Sequence, residues 1–172
     1  MEGLSSMEFS QYLDNLEKKL IGSFDLERDY ILDDYSFDLF ARYLLRNEKY
    51  ILLKQAKIYA IENNEYSFIK YFDSMDLSLL DKFTASLIKS IDSLVQPSEE
   101  HMSSIITGVI VLQDNPSPEL VKAVKRFKYH KGFAFGFRGW VDIRLLLVTM
   151  DQDYIVTNKK GKEVSKVYSI DF

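Results

Sequence analysis

The 172-residue sequence contains no cysteine, three prolines, seven glycines and only two histidines, His101 and His130. Without cysteine, no disulfide, thiolate zinc site or cysteine nucleophile is possible. No H-E-x-x-H, G-x-x-x-x-G-K-[ST] or G-x-S-x-G spacing occurs, and the three glycines of "GFAFGFRG" follow a predicted helix instead of a strand. The sequence therefore gives no motif for zinc, nucleoside-triphosphate or serine-hydrolase chemistry.

Long apolar runs are also missing. The longest candidate, "LLLVTM" at 145–150, has the length of a strand, so no membrane span is expected. The start of the chain, "MEGLSSMEFSQYL", lacks the basic flank and apolar core of a signal peptide. We therefore expect a soluble, cytoplasmic protein with no membrane partner.

What is present is apolar and aromatic material for a sizeable core, since 47% of residues are hydrophobic and 14% aromatic. Charge is uneven: residues 1–100 carry eleven Lys and Arg against nineteen Asp and Glu, whereas residues 101–172 carry eleven against seven. A basic back half either offers a binding face to an anionic partner or attracts the acidic front half within one fold.

Periodicity and turn residues predict one α+β domain over residues 1–172. Its mixed sheet comprises an antiparallel meander, a buried strand and a C-terminal hairpin, flanked by about three helices. A capping box at Ser5 and Glu8 begins the first helix, Asn63 and Asn64 suit a hairpin turn, and Ser117 caps a later helix. The predicted elements are a helix at 6–21, a strand meander at 23–72, a helix at 76–95, a strand at 103–113, a helix at 117–130, a strand hairpin at 132–158 and a short strand at 163–170.

The stretch from 121 to 144 holds seven Lys and Arg against one acid, Asp142. Basic residues interleaved with aromatic ones can grip phosphates and stack bases. In the alternative interpretation the lysines are the solvated side of an amphipathic helix, the phenylalanines at 133, 135 and 137 are core, and the arginines pair with acids. The candidate binding residues are Lys125, Arg126, Lys128, His130, Arg138, Trp140 and Arg144.

A second candidate site lies in the meander, where Asp38 stands on one predicted strand and Gln55-Ala56-Lys57 on the next. With the order of helix, three antiparallel strands, helix and further strand, this arrangement resembles the restriction-endonuclease-like, or PD-(D/E)xK, nucleases. The resemblance implies that Asp38 and Gln55 hold Mg²⁺ and that Lys57 positions the attacking water, with Glu17 as an additional acid. The sequence departs from the family pattern because no proline precedes Asp38 and because an amide replaces the usual acid at Gln55.

Three hypotheses follow for the function. The first is a non-catalytic binding or regulatory module that uses the basic and aromatic surface, with no cofactor and with a nucleic acid or a protein as its partner. The second is a nucleic-acid-binding or Mg²⁺-dependent nuclease-like protein, active or degenerate. The third is an assembly subunit without a ligand, in which exposed aromatic residues mediate self-association.

Overall fold

A computed structural model describes residues 2–49, 59–98, 101–151 and 154–170 of the chain. The helices are α1 (Glu2–Leu20), α2 (Leu77–Leu94), α3 (Pro118–Arg126) and α4 (Ser165–Tyr168). The strands are β1 (Asp25–Leu32), β2 (Tyr35–Lys49), β3 (Tyr59–Phe72), β4 (His101–Leu112), β5 (His130–Gly132), β6 (Trp140–Thr149) and β7 (Tyr154–Thr157). Short 3₁₀ turns occupy Ala134–Gly136 and Gly161–Val164.

The seven strands form one mixed sheet in the order β1-β2-β3-β4-β6, with β5 and β7 both paired to β6. The first three strands are antiparallel, whereas β3 and β4, and β4 and β6, are parallel. Parallel neighbours need a long crossover connection, which α2 and α3 supply. The predicted α+β class and the single mixed sheet are confirmed.

Both faces of the sheet are covered, which explains why β4 and β6 are apolar along nearly their whole length. On one face α2 and α3 pack over Phe68, Ile106 and Ile143. On the other face α1 and the C-terminal segment pack over Ile69 and Val109. In the described ranges no helix is long and apolar enough to cross a membrane.

Two helices match their predicted chemistry. The Asp76 carboxylate accepts the Leu79 N–H at the start of α2, within the predicted helix 76–95, and the apolar stripe of Leu80, Phe83, Leu87 and Ile91 is buried. Ser117 caps α3 by accepting the Leu120 N–H, and Pro118 occupies the first turn. α3 ends at Arg126, however, instead of at 130, because the chain turns extended at Phe127 and His130 pairs with Asp142 on β6.

The meander differs from its prediction in its turns. Asn63 and Asn64 lie inside β3, where they pair with Leu45 and Leu44, and the expected turn at 46–49 is the end of β2. The long antiparallel β2–β3 pairing outweighs the local turn preference of asparagine. α1 begins at Glu2, so Ser5 and Glu8 lie within it instead of at its start.

The predicted strand at 163–170 is wrong, because the structure has the 3₁₀ turn Gly161–Val164 followed by α4. Alternation of apolar residues is present in this segment, but side-chain contacts decide its conformation. The Tyr168 hydroxyl lies 2.7 Å from Ser67 Oγ, and the Tyr12 hydroxyl donates to the Tyr168 carbonyl. Burial raises the pKa of both tyrosines, that of Tyr168 to about 12.

Candidate binding site

A pocket of about 500 Å³ opens between the end of α3, β5 and the segment after β7. Five Lys and Arg residues line it from two parts of the chain that lie about thirty residues apart in sequence. Lys125, Arg126 and Lys128 come from the end of α3, and Lys159 and Lys160 from the segment after β7. All five are exposed, and within the described part of the chain Lys160 alone among them forms an ion pair with a lining acid, Asp142.

The first wall is set by the amphipathic pattern of α3. Leu120 and Val124 are fully buried against the sheet, which directs Lys125 and Arg126 towards solvent in the last helical turn. Cations in this turn also oppose the partial negative charge of the helix C-terminus. Lys125 and Arg126 are therefore solvent-exposed, as the interpretation of an amphipathic helix expects. They also line the pocket.

The second wall depends on Asn158, which is buried. Its side-chain oxygen accepts the N–H groups of Leu145 and Gly161, at 3.1 and 2.8 Å. Its side-chain nitrogen donates to the carbonyls of Ile143 and Phe127, at 3.0 and 3.3 Å. One amide group thereby ties the segment bearing Lys159 and Lys160 to β6 and to the end of α3.

Asp142 contacts two other lining residues of the pocket. Asp142 Oδ1 is 2.8 Å from His130 Nδ1, and Asp142 Oδ2 is 3.2 Å from Lys160 Nζ. The Asp142 side chain is only 9% exposed, so its contacts fix the positions of both partners. Because Nδ1 faces the carboxylate, Nε2 is the ring nitrogen on the side away from Asp142.

The pocket is strongly cationic. Asp142 and Glu163 are the only acids among the described residues that line it, and both are engaged: Asp142 with His130 and Lys160, and Glu163 with Arg144 at 2.9 Å. The remaining positive charge attracts anions, and the rings of Phe127 and Tyr129 add apolar surface beside it.

Of the predicted binding residues, four line the pocket (Lys125, Arg126, Lys128 and His130). Arg144 is outside the lining, with 7% of its side chain exposed, and it pairs with Glu65 at 3.1 Å as well as with Glu163. Its Nε is buried without a hydrogen-bond partner in the described part of the chain. Arg144 therefore joins the acidic front half to the basic back half, as the alternative interpretation expects.

Arg138 and Trp140 lie outside the pocket lining, at the end of the loop that joins β5 to β6. This loop, residues 133–139, does not have the two-residue alternation expected for a strand. Phe133 packs partly on the core, whereas Phe135 is fully exposed and Phe137 is 86% exposed. The prediction that these three phenylalanines share one buried face is wrong, because the backbone turns at Ala134–Gly136.

The candidate nuclease residues are placed only in part. Asp38 lies on β2, where its carboxylate accepts the Tyr71 N–H of β3 at 2.7 Å. Glu17 forms short hydrogen bonds with Arg28, and these, followed by those from Asp14, raise the pKa of Arg28 above its ordinary value. Gln55 and Lys57 lie outside the described residues. Within the ranges the structure describes, no three His, Asp or Glu residues are grouped to hold a metal ion.

Sequence reasoning missed the second wall. Residues 159–162 fall between the predicted hairpin and the predicted last strand, and Asn158 is only the last residue of that hairpin. Glycine at 161 suits a close backbone approach, since an added Cβ would lie 3.0 Å from the Leu145 carbonyl oxygen, which is tighter than most real Cβ contacts. The convergence of this turn with α3 is a tertiary contact that no local pattern encodes.

Comparison with known proteins gives one match. No curated protein and no solved structure matches the sequence. One protein-family model matches residues 8–170, which is nearly the whole chain. The chain therefore belongs to the family described as a domain of unknown function, DUF8052.

Proposed function

We propose that this protein is a non-catalytic binding module whose basic pocket takes a phosphate-bearing anion. The observation that carries the proposal is the convergence of Lys125, Arg126 and Lys128 with Lys159 and Lys160 around one concave site. The two basic segments are also held together by a specific contact. The buried side chain of Asn158 donates to the Phe127 carbonyl after α3 and accepts the Gly161 N–H beside Lys160.

The pocket chemistry suits a nucleotide or the end of a nucleic-acid strand. Ammonium groups act as point charges on phosphate oxygens, and the guanidinium of Arg126 can bind two of them at once. Phe127 and Tyr129 offer apolar surface for a base or a sugar. A volume of about 500 Å³ is in the range of small-molecule sites.

The test is fluorescence-anisotropy titration with short single- and double-stranded DNA and RNA and with a labelled nucleoside triphosphate, across a salt series. The pocket variant is Lys125→Gln/Lys159→Gln. The matched control is Lys122→Gln/Lys162→Gln, which removes the same charge from the same two segments at exposed positions outside the pocket lining.

We expect the pocket variant to lower the slope of log affinity against log salt for nucleic acid by about 2, one unit for each lost phosphate contact. The control should keep the slope of the unaltered protein. Equal losses in both variants would mean that only the overall charge matters, and no binding at low salt would remove the proposal.

A Mg²⁺-dependent nuclease-like protein is the second candidate. It is supported by the order of α1, three antiparallel strands, α2 and a parallel strand β4, which agrees with the order that the family resemblance implies. The proposed ligand is Asp38, with Gln55 and Lys57 as the other members of the set.

Asp38→Asn separates a metal-binding role from a structural one, because asparagine can still accept the Tyr71 N–H but loses the negative charge. A nuclease should cleave plasmid DNA or RNA with Mg²⁺ or Mn²⁺, and both Asp38→Asn and Lys57→Ala should abolish cleavage with unchanged thermal stability. Intact nucleic acid after hours with either metal would rule this candidate out.

A further inference from the structure

The loop of residues 133–139 presents two phenylalanine rings to solvent. Phe135 is fully exposed and Phe137 is 86% exposed, whereas Phe133 at the base of the loop packs on the core. The loop closes the β5–β6 hairpin, on the side of the sheet opposite to β1. Large apolar side chains in water are unfavourable, so two of them together at one loop are candidates for a contact surface.

The loop holds these rings in a fixed conformation. Ala134 and Phe135 have φ angles of 47° and 57°, in the left-handed region that non-glycine residues avoid. Hydrogen bonds span the loop, from the Phe133 N–H to the Gly139 carbonyl at 2.9 Å and from the Arg138 N–H to the Phe133 carbonyl at 3.1 Å. A left-handed backbone held by the loop's own hydrogen bonds is a strained arrangement of the kind that recurs at functional segments.

The sequence on either side of the loop is cationic, and Lys131 Nζ lies 5.5 Å from the centroid of the Phe133 ring at the base of the loop. Residues 120–141 contain six Lys and Arg and no Asp or Glu. All six cations are exposed: Lys122, Lys125, Arg126, Lys128, Lys131 and Arg138. A pair of protruding apolar rings beside several cations is complementary to a surface that is apolar inside and anionic outside.

The exposure of the rings distinguishes a lipid bilayer from a nucleic-acid strand. A ring that stacks on a base needs only one free face, and its other face usually packs on the protein, which fixes its orientation. Phe135 is exposed on both faces, as insertion among acyl chains requires. Phenylalanine also lacks a polar group that would need a hydrogen-bond partner in hydrocarbon.

We propose that the loop 133–139 inserts Phe135 and Phe137 into an anionic lipid bilayer while the neighbouring Lys and Arg residues bind lipid headgroups. The expectation of no membrane partner rested on the lack of a spanning segment, and a peripheral contact needs none. Lys125, Arg126 and Lys128 are shared with the pocket lining, whereas Phe135 and Phe137 are not, so variants of the two rings test this proposal independently of the function proposed above.

Vesicle co-sedimentation tests the proposal, with phosphatidylcholine vesicles that contain or lack 30% phosphatidylserine. Phe135→Ser/Phe137→Ser removes the two rings, and Ile31→Ser is the matched control. Ile31 is also a large exposed apolar residue, 67% exposed, and it lies on β1 at the far edge of the sheet.

We expect the protein to sediment with the anionic vesicles and less with the neutral ones. The double variant should lose about 100-fold or more in partition coefficient, because each buried ring contributes about tenfold or more. The Ile31→Ser variant should partition like the unaltered protein. A protein that stays in the supernatant at low salt, or a double variant that sediments equally, would overturn the proposal.

A fluorescent reporter distinguishes insertion from adsorption by charge. Trp140 is the only tryptophan, so Phe135→Trp in a Trp140→Phe background has a single tryptophan at the loop tip. Its emission should shift to shorter wavelength with anionic vesicles and be quenched by brominated acyl chains. Binding without this shift, or a response to a single-stranded oligonucleotide but not to vesicles, would refute insertion.

Discussion

Gly108 lies in the middle of β4, beneath α2, and its lack of a side chain allows the helix to approach the sheet. A Cβ atom added there would lie 2.3 Å from Leu87 Cδ1 and 2.9 Å from Phe83 Cε1. Carbon atoms in contact prefer about 3.5–4.0 Å, so an alanine would overlap Leu87 by more than 1 Å. Both helix residues are fully buried, which leaves them little room to move.

The expected cost of Gly108→Ala follows from that overlap. Forcing an extra methyl group into a packed core costs about 1–3 kcal/mol in free energy of unfolding. Replacing a strand glycine by alanine returns about 0.5–1 kcal/mol of that cost through backbone entropy. Because the added Cβ would overlap two buried side chains, the cost should lie in the upper part of that range, about 2–3 kcal/mol, which leaves a net destabilisation of about 1–2.5 kcal/mol.

A double-mutant cycle with Leu87→Ala isolates the clash. Leu87→Ala alone should cost about 2–5 kcal/mol, because it leaves a cavity. In Gly108→Ala/Leu87→Ala the added methyl group occupies part of that cavity, so the double variant should be more stable than the sum of the single changes by about 1–2 kcal/mol.

Urea denaturation followed by circular dichroism measures all the variants, with Gly22→Ala as the control. An added Cβ at Gly22 meets no atom within 4 Å, so this change should alter stability by less than about 0.5 kcal/mol. If the two core changes add to within about 0.3 kcal/mol, or if Gly108→Ala costs no more than Gly22→Ala, the close approach of α2 to β4 is refuted.

Three further predictions concern polar groups. Asn158→Ala should lower the free energy of unfolding by about 3 kcal/mol or more, measured in urea, because it leaves two buried N–H groups without acceptors and each costs about 1–3 kcal/mol; it should also weaken binding at the pocket. Arg144→Met should change stability by less than about 1 kcal/mol in the same assay, since its two glutamate partners reach solvent and its buried Nε has no partner among the described residues. For Tyr168, the pKa raised to about 12 means that the unfolded chain releases this proton first, near pH 10, so the stability it contributes is complete below pH 10 and falls as pH rises towards 12. Denaturation curves between pH 8 and 12 should show this loss, of about 1.4 kcal/mol per pH unit for this one group. The slope should be shallower by that amount in Tyr168→Phe, which keeps the loss due to Tyr12, whose pKa burial also raises.

The elements that could be predicted are those determined by residues within a few positions of one another in the sequence. The stripe of Leu80, Phe83, Leu87 and Ile91 repeats with the helical period, and its burial follows from that period alone. Ser117 and Pro118 identify the start of α3 because their side chains act within one turn. The buried strand β4 was predictable from a run of β-branched residues too short for a membrane span.

Features that depend on distant partners were not predictable. Asn63 and Asn64 favour a turn locally, but the β2–β3 pairing places both inside a strand. The candidate site shows the same limit: Lys125, Arg126 and Lys128 are visible as a basic run, whereas their meeting with Lys159 requires the side-chain hydrogen bonds of Asn158. The alternating phenylalanines at 133, 135 and 137 are typical of a strand. The structure has a turn there instead, because Ala134 and Phe135 adopt left-handed backbone angles that this pattern does not predict.

The contact between Tyr12 and Tyr168 has a consequence for synthesis on the ribosome. The two residues are separated by 156 positions, and together with Leu16 and Ile170 they cover one face of the sheet. α1 is therefore synthesised early in this domain, but Tyr168 and Ile170, which pack beside it, are synthesised only when almost all of the domain has been made. During translation that face of the sheet is incompletely covered, so the nascent chain should bind chaperones there until residue 170 has emerged.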